Sequence, residues 1–499
     1  WGSVPFRLGM WVGGSVTPNR SVDAKDAITS ARRAGRDRSA GATPLQLSRC
    51  PWCGTELALA GDGKGNYHVE HFEENPARRT LVYCPDWSCA FNARNAPGEG
   101  IPVVTVDEEV YRLLPTFLIG TVDKFAQVPW NGATKLLFGL TAQRCSRHGY
   151  RTRDLADRLG FCDPDVKTHP KMDGADTAKI EPCGRLRPPD LVIQDEFHLI
   201  TGPLGSMAGL YETIVDELAS WKHDEVWVRP KVVASTATIR RATQQARGVF
   251  ARRVRLFPPQ VLDIGDSFFA RQVTPSLDTP GRRYLGVCVP GRRLKEVENR
   301  VFRTVMAAAQ NLYSGEGLGL AADPWMTTVG YFSAIRELAG MRRLADDELR
   351  TRLVRINDKR HPGLSSRPEK VNGKRRTLVI EELTSRTSSS GIRPALDRLE
   401  ITHDPARGLD GQWPIDLLLA TNMISVGVDV PRLGSMVIVG QPKATAEYIQ
   451  ASSRVGRSPH GPGLVVTIAN WARPRDLSHF QTFEHYHATF YRQVEALSV

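Results

Sequence analysis

From residue 101 onward, short apolar runs alternate with amphipathic stretches. Residues 101–106, 117–121, 191–194 and 231–235 read as strands, and 206–221, with Leu210, Ile214 and Leu218 on one face, reads as a helix. Such alternation commits a chain to parallel sheets wound with helices, because parallel neighbours need a long crossover between them. The pattern restarts beyond a Pro-, Gly- and Arg-rich stretch. Helices are expected over 293–313, 334–344, 392–399 and from 445, with strands over 326–332, 377–382, 416–420, 434–440 and 463–469. A chain of 499 residues has room for about three domains at roughly 100–200 residues each. Residues 1–44 and 96–257 form the first α/β lobe, 45–95 a cysteine-rich insertion, 258–290 a linker, 291–475 a second α/β lobe, and 476–499 the start of a C-terminal extension.

Eight cysteines are too few to scaffold a chain of this length, and their spacing suits metal rather than crosslinks. Cys50 and Cys53 stand in C-P-W-C-G, and Cys84 and Cys89 in C-P-D-W-S-C. Each pair lies in a turn where backbone N–H groups can face thiolate sulfurs, so the four predict a closed structural zinc ribbon. His68 and His71, between the pairs, read as surface residues. Gly61–Asn66 reads as the tip of the intervening hairpin. A second set, Cys145 and His148 in C-S-R-H with Cys162 and Cys183 downstream, could close a Cys3His zinc site, with ordinary buried cysteines as the alternative. Cys288, in an apolar run, reads as core. Thiols used this way fit a reducing cytoplasm.

Lys and Arg exceed Asp and Glu by 66 to 54, which suits an anionic partner without naming it. A composition 41% hydrophobic and 24% charged excludes collagenous, wholly disordered and multi-span membrane classes. No run of about 18 uncharged apolar residues occurs.

The strand L-V-I-Q runs into Asp195-Glu196-Phe197-His198. Adjacent carboxylates at the C-terminal edge of a parallel sheet sit where such folds bind ligands. Asp195 could hold Mg2+, and Glu196 could orient or deprotonate a water attacking a phosphate. The next strand ends in Ser235-Thr236-Ala237-Thr238, bringing small hydroxyls to the same edge. Far downstream, Q-A-S-S-R-V-G-R carries Gln450, Arg454 and Arg457, with two guanidinium groups three residues apart and able to reach one anion. Between them, Thr421-Asn422 leads into a loop holding Gly427 and Asp429, where backbone N–H groups can approach phosphate and Asp429 can accept from a ribose hydroxyl.

These strings, in this order, resemble motifs II, III, V and VI of superfamily two DExH helicases, and Gly120-Thr121-Val122-Asp123-Lys124-Phe125 resembles motif Ib. The resemblance implies two RecA-like lobes with ATP and Mg2+ as cofactors and nucleic acid, DNA rather than RNA, as partner. It implies that Asp195 binds Mg2+, that Glu196 is the base, that His198 couples to Gln450, and that Arg454 and Arg457 act as arginine fingers. Thr121, Thr236 and Thr421 become candidates for touching the nucleic-acid backbone or relaying nucleotide state. The wording over 197–212, 382–388 and 475–492 is similar to the helicase component of DISARM phage-defence systems, which implies a defence role and a partner protein. One departure stands out: the phosphate loop G-x4-G-K-[ST] is absent from all 499 residues, and the family carries it ahead of the motif-like opening L-G-M-W-V-G-G. The expectation is a piece of a longer helicase that binds ATP poorly alone. A non-catalytic DNA-binding scaffold and a duplex translocase without strand separation are the alternatives, and the zinc ribbon could guide nucleic acid or a partner protein.

Overall fold

The computed structural model describes residues 6–34, 41–57, 68–72, 78–159, 162–171, 176–197, 200, 202–236, 242–257, 262–263, 265–266, 268, 271, 273–356, 363–368, 370–371, 374–375, 377–387, 389–404, 413–425, 429–458 and 461–489. The chain forms two compact units, the first essentially up to Arg255 and the second from Leu256 to Ala496. His198, Thr238, Gly427 and the hairpin tip at 61–66 lie outside the described residues.

The first unit runs β1 (Leu8–Trp11), α1 (Ser21–Ala34), β2 (His68–Phe72), β3 (Arg79–Tyr83), β4 (Val103–Val104), α2 (Asp107–Leu113), β5 (Phe117–Gly120), α3 (Val122–Phe125), β6 (Gln143–Cys145), β7 (Gly149–Arg151) and α4 (Arg153–Leu159). It continues with β8 (Thr168–His169), β9 (Ala178–Pro182), β10 (Leu191–Gln194), α5 (Gly202–Leu218), β11 (Trp221–His223), β12 (Val226–Val228), β13 (Lys231–Ala234) and α6 (Ala242–Phe250). Its parallel strands fall, among the described residues, into one sheet ordered β4-β1-β5 and a separate pair, β10-β13. The cysteine-rich insertion contributes the antiparallel hairpin β2-β3, and a four-stranded antiparallel sheet, β7-β6-β9-β8, follows the motif-Ib-like segment.

Helix α2 is the hub of this unit. Asp107, Glu108, Glu109 and Arg112 are all buried, an arrangement that holds only if each charge is answered. Glu108 accepts from the Ser21 N–H at 3.0 Å and Glu109 from the Thr80 N–H at 2.8 Å. Asp107 pairs with Lys124 of α3. Arg112 donates to the carbonyls of His148 at 2.9 Å and Arg78 at 2.7 Å.

One buried acid has a testable consequence. Burial pushes the Glu212 carboxyl of α5 up from 4.5 to about 7, with Asp216 adding to the rise and Arg252 opposing it. A native-state value above the unfolded one means the folded chain keeps a proton that the unfolded chain has lost. Stability from this group is therefore full below the unfolded value and drains away as pH rises toward 7. Glu212→Gln is expected to raise stability at pH 7–8 by on the order of 1–3 kcal/mol and to flatten the slope between pH 5 and 7, as a series of thermal melts would show.

The second unit begins with β14 (Arg282–Cys288), α7 (Leu294–Gln310), α8 (Asp323–Met326), β15 (Thr328–Phe332), α9 (Ile335–Leu344), α10 (Arg350–Val354) and a short hairpin of β16 (Lys370–Val371) and β17 (Lys374–Arg375). It ends with β18 (Ile380–Leu383), α11 (Ser389–Leu399), β19 (Leu417–Ala420), β20 (Ser435–Val439), α12 (Thr445–Ser452), β21 (Gly463–Ala469), α13 (Pro474–Gln481) and α14 (Phe483–Thr489). Six strands make one RecA-like parallel sheet, ordered β14-β21-β20-β15-β19-β18. Its central strands β15, β19 and β20 are buried along their whole length and mostly apolar because both faces are covered. Leu418 and Ala420 pack into one core, and Leu417 and Leu419 into the other.

Two sequence expectations change here. The stretch read as a linker carries β14, an edge strand pairing with β21 over its whole length; its Pro, Gly and Arg neighbours masked an ordinary strand pattern. Cys288, at the end of that strand, is part-exposed, as an edge position allows.

Candidate functional site

The acid pair stands where the β10-β13 ladder runs one step past its strands. The Ser235 N–H donates to Gln194 O at 2.9 Å and the Phe197 N–H to Ser235 O at 2.9 Å. The chain from Gln194 to Phe197 is thus pinned to the start of the S-T-A-T segment. Asp195 accepts on one oxygen, Oδ1, from both the Ser235 hydroxyl and the Glu196 N–H, the latter at 2.9 Å. Glu196 takes φ of 50°, a left-handed conformation that costs a non-glycine residue on the order of 1 kcal/mol and clusters at functional sites. Phe197 holds the turn down: it is buried and stacks on Phe250 of α6, ring centroids 5.4 Å apart. The motif pattern marks Phe197 only as a spacer, whereas the packing makes it the anchor. Asp195, Ser235 and Thr236 are exposed and Glu196 is half-buried, so the carboxylates are open to a ligand. Thr121, just before α3, is exposed too.

In the second unit, Thr421 follows β19 and is buried, its N–H donating to Leu383 O at 3.3 Å. A buried hydroxyl suits relaying a strand movement better than touching a backbone phosphate. Gln450 lies half-buried on α12. Arg457 donates to Asp429 Oδ1 at 2.5 Å and to Ser453 O at 3.0 Å. Asp429, expected to serve a ribose, is therefore engaged by the very arginine expected to serve a phosphate. The turn bearing both arginines is tightly set. Gly456 has φ of 64°, its N–H donates to Leu433 O at 2.7 Å, and a Cβ there would lie 2.5 Å from Gly463 Cα. Arg282 of β14 donates to Val455 O at 2.8 Å, a positioning contact hidden in the stretch read as linker. Gly456→Ala is expected to cost about 1–3 kcal/mol, measurable as a reduced urea midpoint.

The four cysteines of the insertion converge. Cys50 and Cys89 sulfurs are 3.8 Å apart and those of Cys53 and Cys84 3.5 Å, with all four within 4.8 Å of one another. Tetrahedral zinc with bonds of about 2.3 Å separates its sulfurs by about 3.8 Å, so the set fits that ion. Hydrogen bonds from Thr55 hold the Cys53 thiol down to about 6, and burial pushes the Cys84 thiol up. His71 hydrogen-bonds Thr80 at 3.0 Å and His68 pairs with Glu70 at 3.4 Å, both outside the sulfur cluster; His71, read as a surface residue, is half-buried with its Nε2 enclosed. Of the second set, Cys145, His148 and Cys162 come together but Cys183 does not. Cys145 faces Ile180 across the β6-β9 ladder, and three further residues of extended chain carry Cys183 about 10 Å away. There its N–H donates to Ala142 O at 2.9 Å. His169 of β8 completes the quartet instead; its signal in the sequence was a lone histidine, indistinguishable from a surface one.

Residues 390–459, which include Asp429, Gln450, Arg454 and Arg457, match the helicase conserved C-terminal domain. This segment of the second unit is therefore similar to the C-terminal domain of helicases. More particularly, the chain is 40% identical to the DISARM protein DrmA of Bacillus paralicheniformis over 500 residues, which is 99% of this chain and 41% of that protein. The resemblance to the DISARM protein therefore stands over nearly the whole chain, with a helicase-type segment inside it, and the chain spans less than half the length of that relative. Among solved structures, the DUF1998 helicase MrfA bound to DNA and AMPPNP is similar at 15% identity and a TM-score of 0.43, over 81% of this chain and 39% of its own. The helicase Lhr of Mycobacterium smegmatis bound to ssDNA and AMP-PNP is similar at 15% identity and 0.42, over 77% of this chain and 35% of its own.

Proposed function

We propose that the chain is part of an ATP-dependent helicase or translocase motor acting on DNA in phage defence. The observation that carries this reading is the junction at the ends of β10 and β13, where one oxygen of Asp195 receives both the Ser235 hydroxyl and the Glu196 amide. It ties a metal-binding carboxylate and a base to a second motif through hydrogen bonds that a change at the phosphate would disturb. Mg2+, when bound with ATP, neutralises charge on the phosphates. Asp195 would hold it and Glu196 would accept the proton of the attacking water, while Arg454 and Arg457 of the second unit offer two guanidinium groups suited to phosphate charge. For Arg457 this requires sharing or leaving Asp429, which then serves the ribose. Thr121 and Thr236, both exposed, suit the nucleic-acid backbone, and the buried Thr421 suits the relay. The net charge of +12 supports a partner held through its phosphates, with affinity falling as salt rises. The cysteine quartet of the insertion holds structural zinc. The defence role rests on the DISARM relative.

The test is ATP hydrolysis by the full-length protein with and without DNA or RNA, run beside a strand-displacement assay. DNA-stimulated hydrolysis with displacement supports a helicase, hydrolysis without displacement leaves a duplex translocase, and no hydrolysis with either nucleic acid sinks the motor in favour of a scaffold.

A further inference from the structure

Cys145, His148, Cys162 and His169 come from four separate places: the end of β6, the turn into β7, the loop after α4, and β8. Their ligand atoms all lie within 4.8 Å of one another. Cys145 Sγ is 3.6 Å from His148 Nδ1, and Cys162 Sγ is 3.4 Å from His169 Nε2. Around a tetrahedral zinc, with bonds of about 2.3 Å to sulfur and about 2.05 Å to nitrogen, the sulfur–nitrogen separation is about 3.5 Å. We infer that these four residues are a Cys2His2 zinc site, independent of the four-cysteine cluster, that clamps the β6–β9 sheet onto helix α2. The inference does not depend on the motor reading.

The blander explanation is two separate S–H···N hydrogen bonds between buried side chains. It accounts for each pair but not for the pairs sharing one centre, nor for the two imidazoles meeting edge to face with centroids 5.0 Å apart. Two thiolates and two imidazoles select zinc over calcium or magnesium, which take oxygen. The surroundings are those of a metal ligand shell. Arg151 reaches Cys162 Sγ at 3.8 Å and also donates to the carbonyls of Asp163 at 2.9 Å, Pro164 at 2.8 Å and Val166 at 2.9 Å, fixing the loop that presents the sulfur. Gln143 Oε1 holds the same guanidinium at 2.7 Å. Cys162 itself takes φ of 58°, a conformation that a bound ligand would help to hold.

The clamp has a direction. His148 presents its carbonyl to Arg112, which also holds the Arg78 carbonyl beside β3. Gly149 comes so close to α2 that a Cβ would lie 2.4 Å from Arg112 O. On the same helix Asp107 pairs with Lys124 of the motif-Ib-like stretch. A metal at this site therefore steadies the helix on which both the insertion and that stretch are hung.

Zinc content of the purified full-length protein tests the site. His169→Ala is expected to carry one equivalent fewer per chain than wild type, whereas Cys183→Ser keeps the full complement. His169→Cys should also keep it, and in cobalt-substituted protein its visible d–d bands should move to longer wavelength as a third thiolate replaces imidazole. Wild-type zinc content in the alanine variant overturns the site. If that variant is insoluble, the decision falls to the cysteine variant: an unshifted cobalt spectrum overturns the site, and a shifted one with full metal content supports it.

Discussion

Glu196→Gln is expected to lower kcat for ATP hydrolysis by the full-length protein about 10²–10⁴-fold, the range that general-base catalysis supplies, while leaving DNA affinity within about twofold of wild type. Glutamine matches glutamate in size, and the bond that organises the junction comes from the residue-196 backbone N–H to Asp195 Oδ1, so the turn survives the change. The left-handed backbone there and the Phe197 anchor are equally indifferent to the side-chain charge. What glutamine lacks is the capacity to take a proton. Turnover unchanged in this variant would remove Glu196 as the base, and loss of DNA binding together with turnover would point to a folding defect instead.

Asp416→Ala is expected to cost about 3–5 kcal/mol, the penalty for leaving a buried ion-pair partner uncompensated. Asp416 sits just ahead of β19 and is 1% exposed. Its Oδ1 accepts from Arg367 at 2.9 Å and faces His403 Nε2 at 3.4 Å, and its Oδ2 accepts from the Val379 N–H at 2.9 Å. His403 is in turn gripped from its other side by Asp323, at 3.3 Å from ring nitrogen to carboxylate and 2.7 Å from backbone N–H. Arg432 completes the set at 3.2 Å from Asp323. Removing Asp416 strands a guanidinium that is only 6% exposed and unfastens the approach to both β18 and β19. Chemical denaturation followed by circular dichroism should show the midpoint falling, with Asp416→Asn intermediate because its amide oxygen can still accept from Val379. A midpoint equal to wild type would mean the charges are solvated and the network contributes little.

The α/β class, the placement of five of the six strands in the second unit's parallel sheet and the Cys50, Cys53, Cys84, Cys89 cluster were legible in the sequence. Gly463–Ala469 forms a strand over the very residues whose apolar run marks it. Apolar periodicity, C-x2-C turns and paired acids at a strand end are local patterns, and local patterns survive in a one-dimensional string. Tertiary structure alone decided which distant residues meet. It set β14 beside β21, gave His169 rather than Cys183 to the second quartet, brought Arg457 onto Asp429, and linked Arg367, Asp416, His403 and Asp323 in one chain of buried contacts. Nothing in a lone histidine or aspartate announces such a partner. Its role is set by a sheet order and a packing geometry that depend on every strand at once, because a buried charge or thiolate is stable only where the whole fold brings its counterpart within reach.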